Sequence, residues 1–134
     1  MEALEIAAGI AVLAGAALQS ATGFGFALVS APLLFAAAEQ SQAIVVLKGD
    51  DTLVAAPGGL VAVSPGATGA LATAGTGDVL SGVLAAVLSR NLDPFMAACA
   101  GVRLHARAGI HAAHDKGVDG VIARDVIEAL PFAR

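Results

Sequence analysis

The sequence predicts an α/β layered fold with an N-terminal hydrophobic helical segment, on three grounds. Residues 6–38 contain no Asp, Glu, Lys or Arg. A β-branched run and a glycine-bearing hairpin signal follow. Beyond residue 78 the apolar side chains recur at helical spacing. Strands in one block and helices in the next bury their apolar faces most simply as a sheet layered on helices.

The uncharged stretch is long enough to cross a bilayer, which takes about 20 apolar residues. Glu2 and Glu5 stand where a secretory signal carries positive charge. Gln19, Ser20, Thr22 and glycines interrupt the run, and Pro32 sits in its second half. The pattern suits two short helical pieces meeting at a Gly-rich break, either inside a membrane bundle or as an Ala/Gly-rich pair in a soluble core.

"AIVVLKG", residues 43–49, reads as a fully buried strand ending at Gly49. "TLVAA" and "LVAVS", separated by "PGG", read as a hairpin with a glycine turn. "PGATGALATAGTG" is a loop of small residues, and a helix then runs from Asp78 to Ser89, with Val79, Leu80, Val83, Leu84, Val87 and Leu88 on one stripe. Asp93-Pro94 supplies a capped start for a long helix that Gly117 ends. Ala97, Gly101, Leu104 and Ala108 form a small-residue strip along it. A last short helix spans Asp125 to Leu130 and stops at Pro131.

Only 13% of the 134 residues are charged, and the net charge is −4. With no Lys/Arg cluster, the chain offers no footprint for a phosphate backbone, which excludes nucleic acid as a partner. A single cysteine, Cys99, has no internal disulfide partner and fits a reducing, cytoplasmic compartment.

Two stretches carry chemistry. In "LATAGTGDVLSG", Leu71–Gly82, a glycine loop runs into a helix at an acid. The bland reading of Gly75-Thr76-Gly77-Asp78 is a turn with an acidic first residue, favoured by the helix dipole. The sharper one is an anion hole: the N–H groups of Gly75, Thr76 and Gly77 converge on a transferring phosphoryl group, and Asp78 takes a proton from an attacking hydroxyl. The stretch is neither a Walker loop nor a dinucleotide fingerprint. "KGDDT", Lys48–Thr52, follows a predicted strand, where ligand loops of α/β sheets gather. Lys48 offers a cation, Gly49 close backbone approach, and Thr52 a hydroxyl; the bland reading is a solvated turn.

The order strand, KGxxT, hairpin, GTGD, helix resembles the C-terminal part of ADP- or ATP-dependent NAD(P)H-hydrate dehydratases, relatives of the ribokinase-like small-molecule kinases. "VVLKGDDTLVAAPGG", "LATAGTGDVLSGVLAAVL", "LDPFMAACAGVRLHARAG" and "ARDVIEALP" carry the likeness over residues 43–134. It implies a partial ribokinase-like fold and a lyase of metabolite repair. In such an enzyme a nucleotide phosphate activates the ring hydroxyl of hydrated NADH or NADPH, and elimination of phosphate restores the cofactor. By resemblance, Lys48, Gly49, Asp50, Asp51, Thr52 and Gly77 contact ADP or ATP, Asp78 contacts the hydrated dinucleotide and acts as base, and Mg2+ accompanies the nucleotide. "LQSATGFGFALVSAPLLF" resembles instead the opening membrane segment of TauE/SafE-type anion exporters, placing a boundary between residues 1–38 and 43–134 and leaving membrane contact through 6–38 open.

Departures from the dehydratase pattern include Ala74 in place of a glycine before GTGD, and an absent N-terminal half with its His-Pro-Gly-Glu segment. The expectation is a truncated chain with weak or no activity. A vitamin-precursor kinase fragment and an exporter fragment are the alternatives. His105, His111 and His114 do not share one helix face, which argues against a three-His zinc site. Arg103 and Arg107, a like-charge pair one turn apart, belong in solvent or at the interface of a homo-oligomer.

Overall fold

A computed structural model describes residues 25–66 and 68–133, with side chains from residue 30 onward. The chain divides into two compact units, one reaching Leu47 and including Leu53–Val63, the other made of Lys48–Thr52 and the residues from Ser64 on.

In the first unit, helix α1 (Gly25–Ser41) carries Pro32 inside it, where the missing N–H breaks one helical bond. Strands β1 (Val45–Leu47), β2 (Thr52–Ala55) and β3 (Val61–Ser64) form one sheet in the order β1-β2-β3. β1 runs antiparallel to β2, with Val46 opposite Val54 and Leu47 opposite Leu53. The expected PGG hairpin is present: Ala56 N–H donates to the Leu60 carbonyl at 2.9 Å, and Gly58 and Gly59 take φ of 88° and 92°. Those angles are open to glycine at no steric cost. Leu34 and Ala38 of α1 pack on Leu53 and Ala55, with Val45 and Leu47 at the margin.

The expectation of a fully buried first strand needs correcting. All three residues of β1 are half-buried, whereas Leu53, Val54 and Ala55 of β2 are buried. β1 has β2 as its one neighbour in the described sheet, so burial falls on the central strand. β3 alternates exposed and half-buried residues, one face in and one out.

In the second unit, a 3-10 turn (Gly69–Ala72) leads to α2 (Thr76–Leu88), α3 (Pro94–Lys116) and α4 (Ala123–Ala129), with further 3-10 turns at Val118–Gly120 and Leu130–Phe132. α3 begins as expected: Asp93 Oδ1 accepts the Met96 N–H at 2.9 Å, and Pro94 occupies the first turn. It ends at Gly117, whose φ is 77°. α2 starts two residues earlier than expected, at Thr76, because Gly75 caps it in a left-handed conformation, φ 85°. The last helix also starts earlier, at Ala123, and it ends at Ala129, just before the 3-10 turn that holds Pro131.

α3 is the spine of this unit. Val83 and Val87 of α2 pack on its Ala97, while its Ala108 and Ala112 meet Leu71, Val121 and Val126. Gly101 allows α2 a close approach: a Cβ there would lie 2.8 Å from Leu84 Cδ2.

Candidate functional site

β1 ends at Leu47 and the chain turns through Lys48–Asp51 before β2 begins at Thr52. Asp51, 5% exposed, pins that turn: its Oδ1 accepts the Gly66 N–H at 2.7 Å. A buried carboxylate needs such a partner, so Asp51 serves the bend itself. Gly66 fits because a Cβ there would stand 3.3 Å from Asp50 Oδ1. Asp50 is exposed, and Lys48, Gly49 and Thr52 are half-buried.

The Lys48 side chain reaches the 3-10 turn, where its Nζ donates to the Leu71 carbonyl at 2.8 Å. An ammonium has three N–H groups, so one on a carbonyl leaves others for an incoming anion.

The same Leu71 carbonyl accepts the Thr76 hydroxyl at 2.6 Å. Thr76 is 1% exposed, and its N–H faces the Thr73 carbonyl at 3.3 Å. It is therefore not one of the free amides of the tip, and the expected Gly75-Thr76-Gly77 anion hole is revised accordingly. Thr76 roots the tip instead. The first helical bond runs from Val79 N–H to the Gly75 carbonyl, which leaves the Gly77 and Asp78 N–H groups without acceptors among the described residues. Both residues are exposed, and a Cβ on Gly77 would meet nothing within 4 Å. Asp78 stands third in the helix rather than at its cap, and no side chain caps the helix.

A cleft of about 240 Å³ opens beside these elements, lined among others by Lys48, Gly49, Asp50, Thr52, Thr68 and His105. Gly75, Gly77 and Asp78 do not line it; the Leu71 and Thr76 carbonyls connect the two regions. His105, on α3, is 3% exposed, and its Nε2 lies 2.8 Å from the Thr76 carbonyl. Because a carbonyl only accepts, Nε2 carries the proton. Burial, and secondarily the Lys48 charge, holds the imidazole below its ordinary range against the opposing pull of the Thr76 bond, so the ring is neutral.

The sequence presents His105 only as a metal candidate, and nothing in it marks the Leu71 carbonyl. The signal for the histidine is its place on the stripe Gly101, His105, Ala108, Gly109, Ala112, all buried on α3. His111 and His114 lie away from the cleft, on the exposed side of α3 beside Asp115. Among the described residues no group of three or more His, Cys, Asp or Glu side chains is arranged to hold a metal.

The fold is that of a nucleotide-dependent dehydratase in part. It superposes with a TM-score of 0.72 and 32% identity on the Bacillus subtilis ADP/ATP-dependent NAD(P)H-hydrate dehydratase co-crystallized with ATP/Mg2+ and soaked with CoA, over 77% of this chain and 38% of that one. The chain belongs to the NAD(P)H-hydrate dehydratase family, whose model matches residues 31–132. It is 40% identical over 95 residues to the bifunctional NAD(P)H-hydrate repair enzyme Nnr of Moorella thermoacetica. To the ADP-dependent (S)-NAD(P)H-hydrate dehydratase of Neisseria meningitidis it is 40% identical over 93 residues. Those matches cover 71% and 69% of this chain, which spans 18% and 31% of the two relatives.

The match begins at residue 31, inside the segment that resembles an exporter. Residues 1–24 of that segment, with the Thr22-Gly23-Phe24 part of its motif, lie outside the described residues. Its described remainder falls in α1, and no helix among the described residues is long and apolar enough to cross a membrane.

Proposed function

We propose that this chain carries the nucleotide side of a dehydratase site that uses ADP or ATP to restore NADH and NADPH from their hydrates. One observation carries the reading: the Lys48 ammonium and the hydroxyl of Thr76, root of the GTGD helix tip, are tied to one carbonyl, that of Leu71. A cation and a helix N-terminus with two unpartnered N–H groups are the donors that a nucleotide's terminal phosphate requires.

In this reading Lys48, Gly49, Asp50 and Thr52 receive the nucleotide in the cleft, and Asp51 shapes their bend. The Gly77 and Asp78 amides hold the phosphoryl oxygens. Asp78, exposed and close to the helix's positive end, accepts the proton of the ring hydroxyl as that oxygen bonds to the terminal phosphorus and the bridging P–O bond breaks, releasing AMP from ADP or ADP from ATP. Elimination of phosphate from that carbon, with loss of a proton from the neighbouring ring carbon, then restores the ring double bond of the reduced nicotinamide. Mg2+ enters with the nucleotide, whose phosphates supply most of its ligands and whose charge it offsets.

The residues present span under two fifths of the matched Bacillus structure, and we expect slow turnover or none from the chain alone. The hydrophobic segment before residue 31, where the family match begins, is the part left for membrane contact, and the exposed Arg103 and Arg107 suit a homo-oligomer interface. Calorimetric titration with Mg·ADP and Mg·ATP tests the nucleotide reading, and an absence of binding refutes it. Recovery of reduced-nicotinamide absorbance from hydrated NADPH tests the rest: a slow, nucleotide-dependent rise is expected, and turnover matching a full-length dehydratase overturns the truncated-site reading. A kinase acting on a vitamin precursor would consume ATP without restoring that absorbance.

A further inference from the structure

We infer that His105 is a positioning residue that fixes the loop Leu71–Thr76 so that Lys48 and the tip of α2 address one phosphate. The purpose rests on the nucleotide reading above; the geometry does not.

The loop is held at both ends by one turn of α3. At its start, the Leu71 side chain sits against Gly109, where a Cβ would fall 2.6 to 2.8 Å from its three branch carbons. At its end, His105, four residues earlier on the same buried face, donates to the Thr76 carbonyl at 2.8 Å. Thr76 then closes the loop on itself by donating its hydroxyl to the Leu71 carbonyl at 2.6 Å, the carbonyl that also orients Lys48. Midway, the Thr73 hydroxyl donates to the Val121 carbonyl at 3.1 Å.

Residues four apart on a helix stack about one pitch apart, so the spacing of His105 and Gly109 sets the span of the loop. If His105 released Thr76, the tip amides and Lys48 would lose their fixed separation, since the Leu71 carbonyl ties Lys48 to the tip only through the Thr76 hydroxyl. A neutral imidazole suits the task because it donates from Nε2 without adding a buried charge beside Lys48. A carbonyl has two lone pairs, so the Thr76 oxygen accepts from His105 without forfeiting its own helical bond.

The test compares His105→Leu, which fills the space without a donor, with His105→Gln, whose amide nitrogen reaches as far as Nε2. The amides of Thr76 and Val79 report on the tip, because they donate to the Thr73 and Gly75 carbonyls. In the Leu variant we expect hydrogen exchange at these two amides to rise about tenfold, with Val126 in α4 unchanged, and Mg·ADP affinity to fall about tenfold. The Gln variant is expected to restore both to within about threefold of the parent. Exchange at Thr76 and Val79 that is unaltered in the Leu variant, or a Gln variant no better than Leu, overturns the inference. Should the Leu variant fail to fold, His105→Asn, whose amide stops one bond short, takes its place against Gln. If the parent chain does not bind Mg·ADP, the nucleotide reading falls, and the exchange comparison alone decides the role of His105.

Discussion

Lys48 and Thr76 donate to a single oxygen, the carbonyl of Leu71, at 2.8 and 2.6 Å. They lie 28 residues apart in the sequence and come from the two motifs that carry its chemistry. A shared acceptor makes them geometrically dependent: neither can move far without straining the other's bond. The Lys48 ammonium has three N–H groups, so it can keep Leu71 and still offer two to a phosphate. The relationship thus orients the lysine without exhausting it.

Replacing Lys48 by Met keeps most of the stem and removes the charge. The Leu71 carbonyl retains the Thr76 hydroxyl, so no buried acceptor is stranded and the stability loss stays near one hydrogen bond, about 0.5–1.5 kcal/mol. A charge-assisted bond to phosphate is worth about 1.5–3 kcal/mol, or roughly 10- to 100-fold in affinity. Calorimetric titration with Mg·ADP should show that loss while the unfolding midpoint in urea moves little. An unchanged affinity would place the nucleotide elsewhere.

Two glycines on α3 should respond differently to the same substitution. Alanine in a helix interior is favoured over glycine by about 0.5–1 kcal/mol. At Gly101 the added Cβ meets one close atom, Leu84 Cδ2 at 2.8 Å, on a half-buried side chain that can swing away. Gly101→Ala should therefore be near neutral. At Gly109 the Cβ meets three branch atoms of the buried Leu71 between 2.6 and 2.8 Å. Overpacking of that kind costs about 1–3 kcal/mol, which exceeds the helical gain. Urea unfolding of Gly109→Ala should show a net loss, and Mg·ADP affinity should fall with it because Leu71 carries Lys48.

Much of the fold was legible in the residues. The PGG turn, the Asp93-Pro94 start and the Gly117 stop each use a backbone preference that a side chain announces. The start of α2 was misplaced because Gly75 caps it by backbone conformation, φ 85°, without a capping side chain. The Lys48 bend and the GTGD tip were both visible, yet the Leu71 carbonyl that joins them was not. A carbonyl is the same at every residue, so composition and spacing cannot mark the one that accepts two donors. His105 was read only as a metal candidate; its buried bond is made across 29 residues of sequence.

Stability should fall with acid in two separate windows. The unfolded chain protonates His105 near its ordinary value of about 6.5, but in the folded state burial first, and then Lys48, lowers its pKa, against the Thr76 bond. Lys48 and Asp50 are the charged groups that line the cleft with it. The unfolded state thus binds the proton more readily, so stability is full above about pH 6.5 and declines as pH falls toward the folded value. Asp125 supplies the second window. Its Oδ1 meets Lys116 Nζ at 2.9 Å and its Oδ2 accepts the Ile122 N–H, which together hold its carboxyl below the usual range. That contribution is present above the ordinary aspartate value, about 3.9, and is lost as pH drops through the lower folded value. Thermal midpoints across pH should show both declines; His105→Gln should flatten the first alone, and Asp125→Asn the second alone.

Asp78 decides between a helix-end charge and a base. As an exposed acid in the first turn of α2, it contributes at most about 0.3–1 kcal/mol through the helix dipole. A general base contributes about 10²–10⁴ in rate. Asp78→Asn keeps the size and the N–H group, so Mg·ADP should bind as before and the unfolding midpoint should shift only slightly. The slow nucleotide-dependent recovery of reduced-nicotinamide absorbance should meanwhile drop by about a hundredfold or more, to the level without protein. If that recovery persists in the Asn variant, Asp78 is only a charge at a helix end, and the proton of the ring hydroxyl goes to another group.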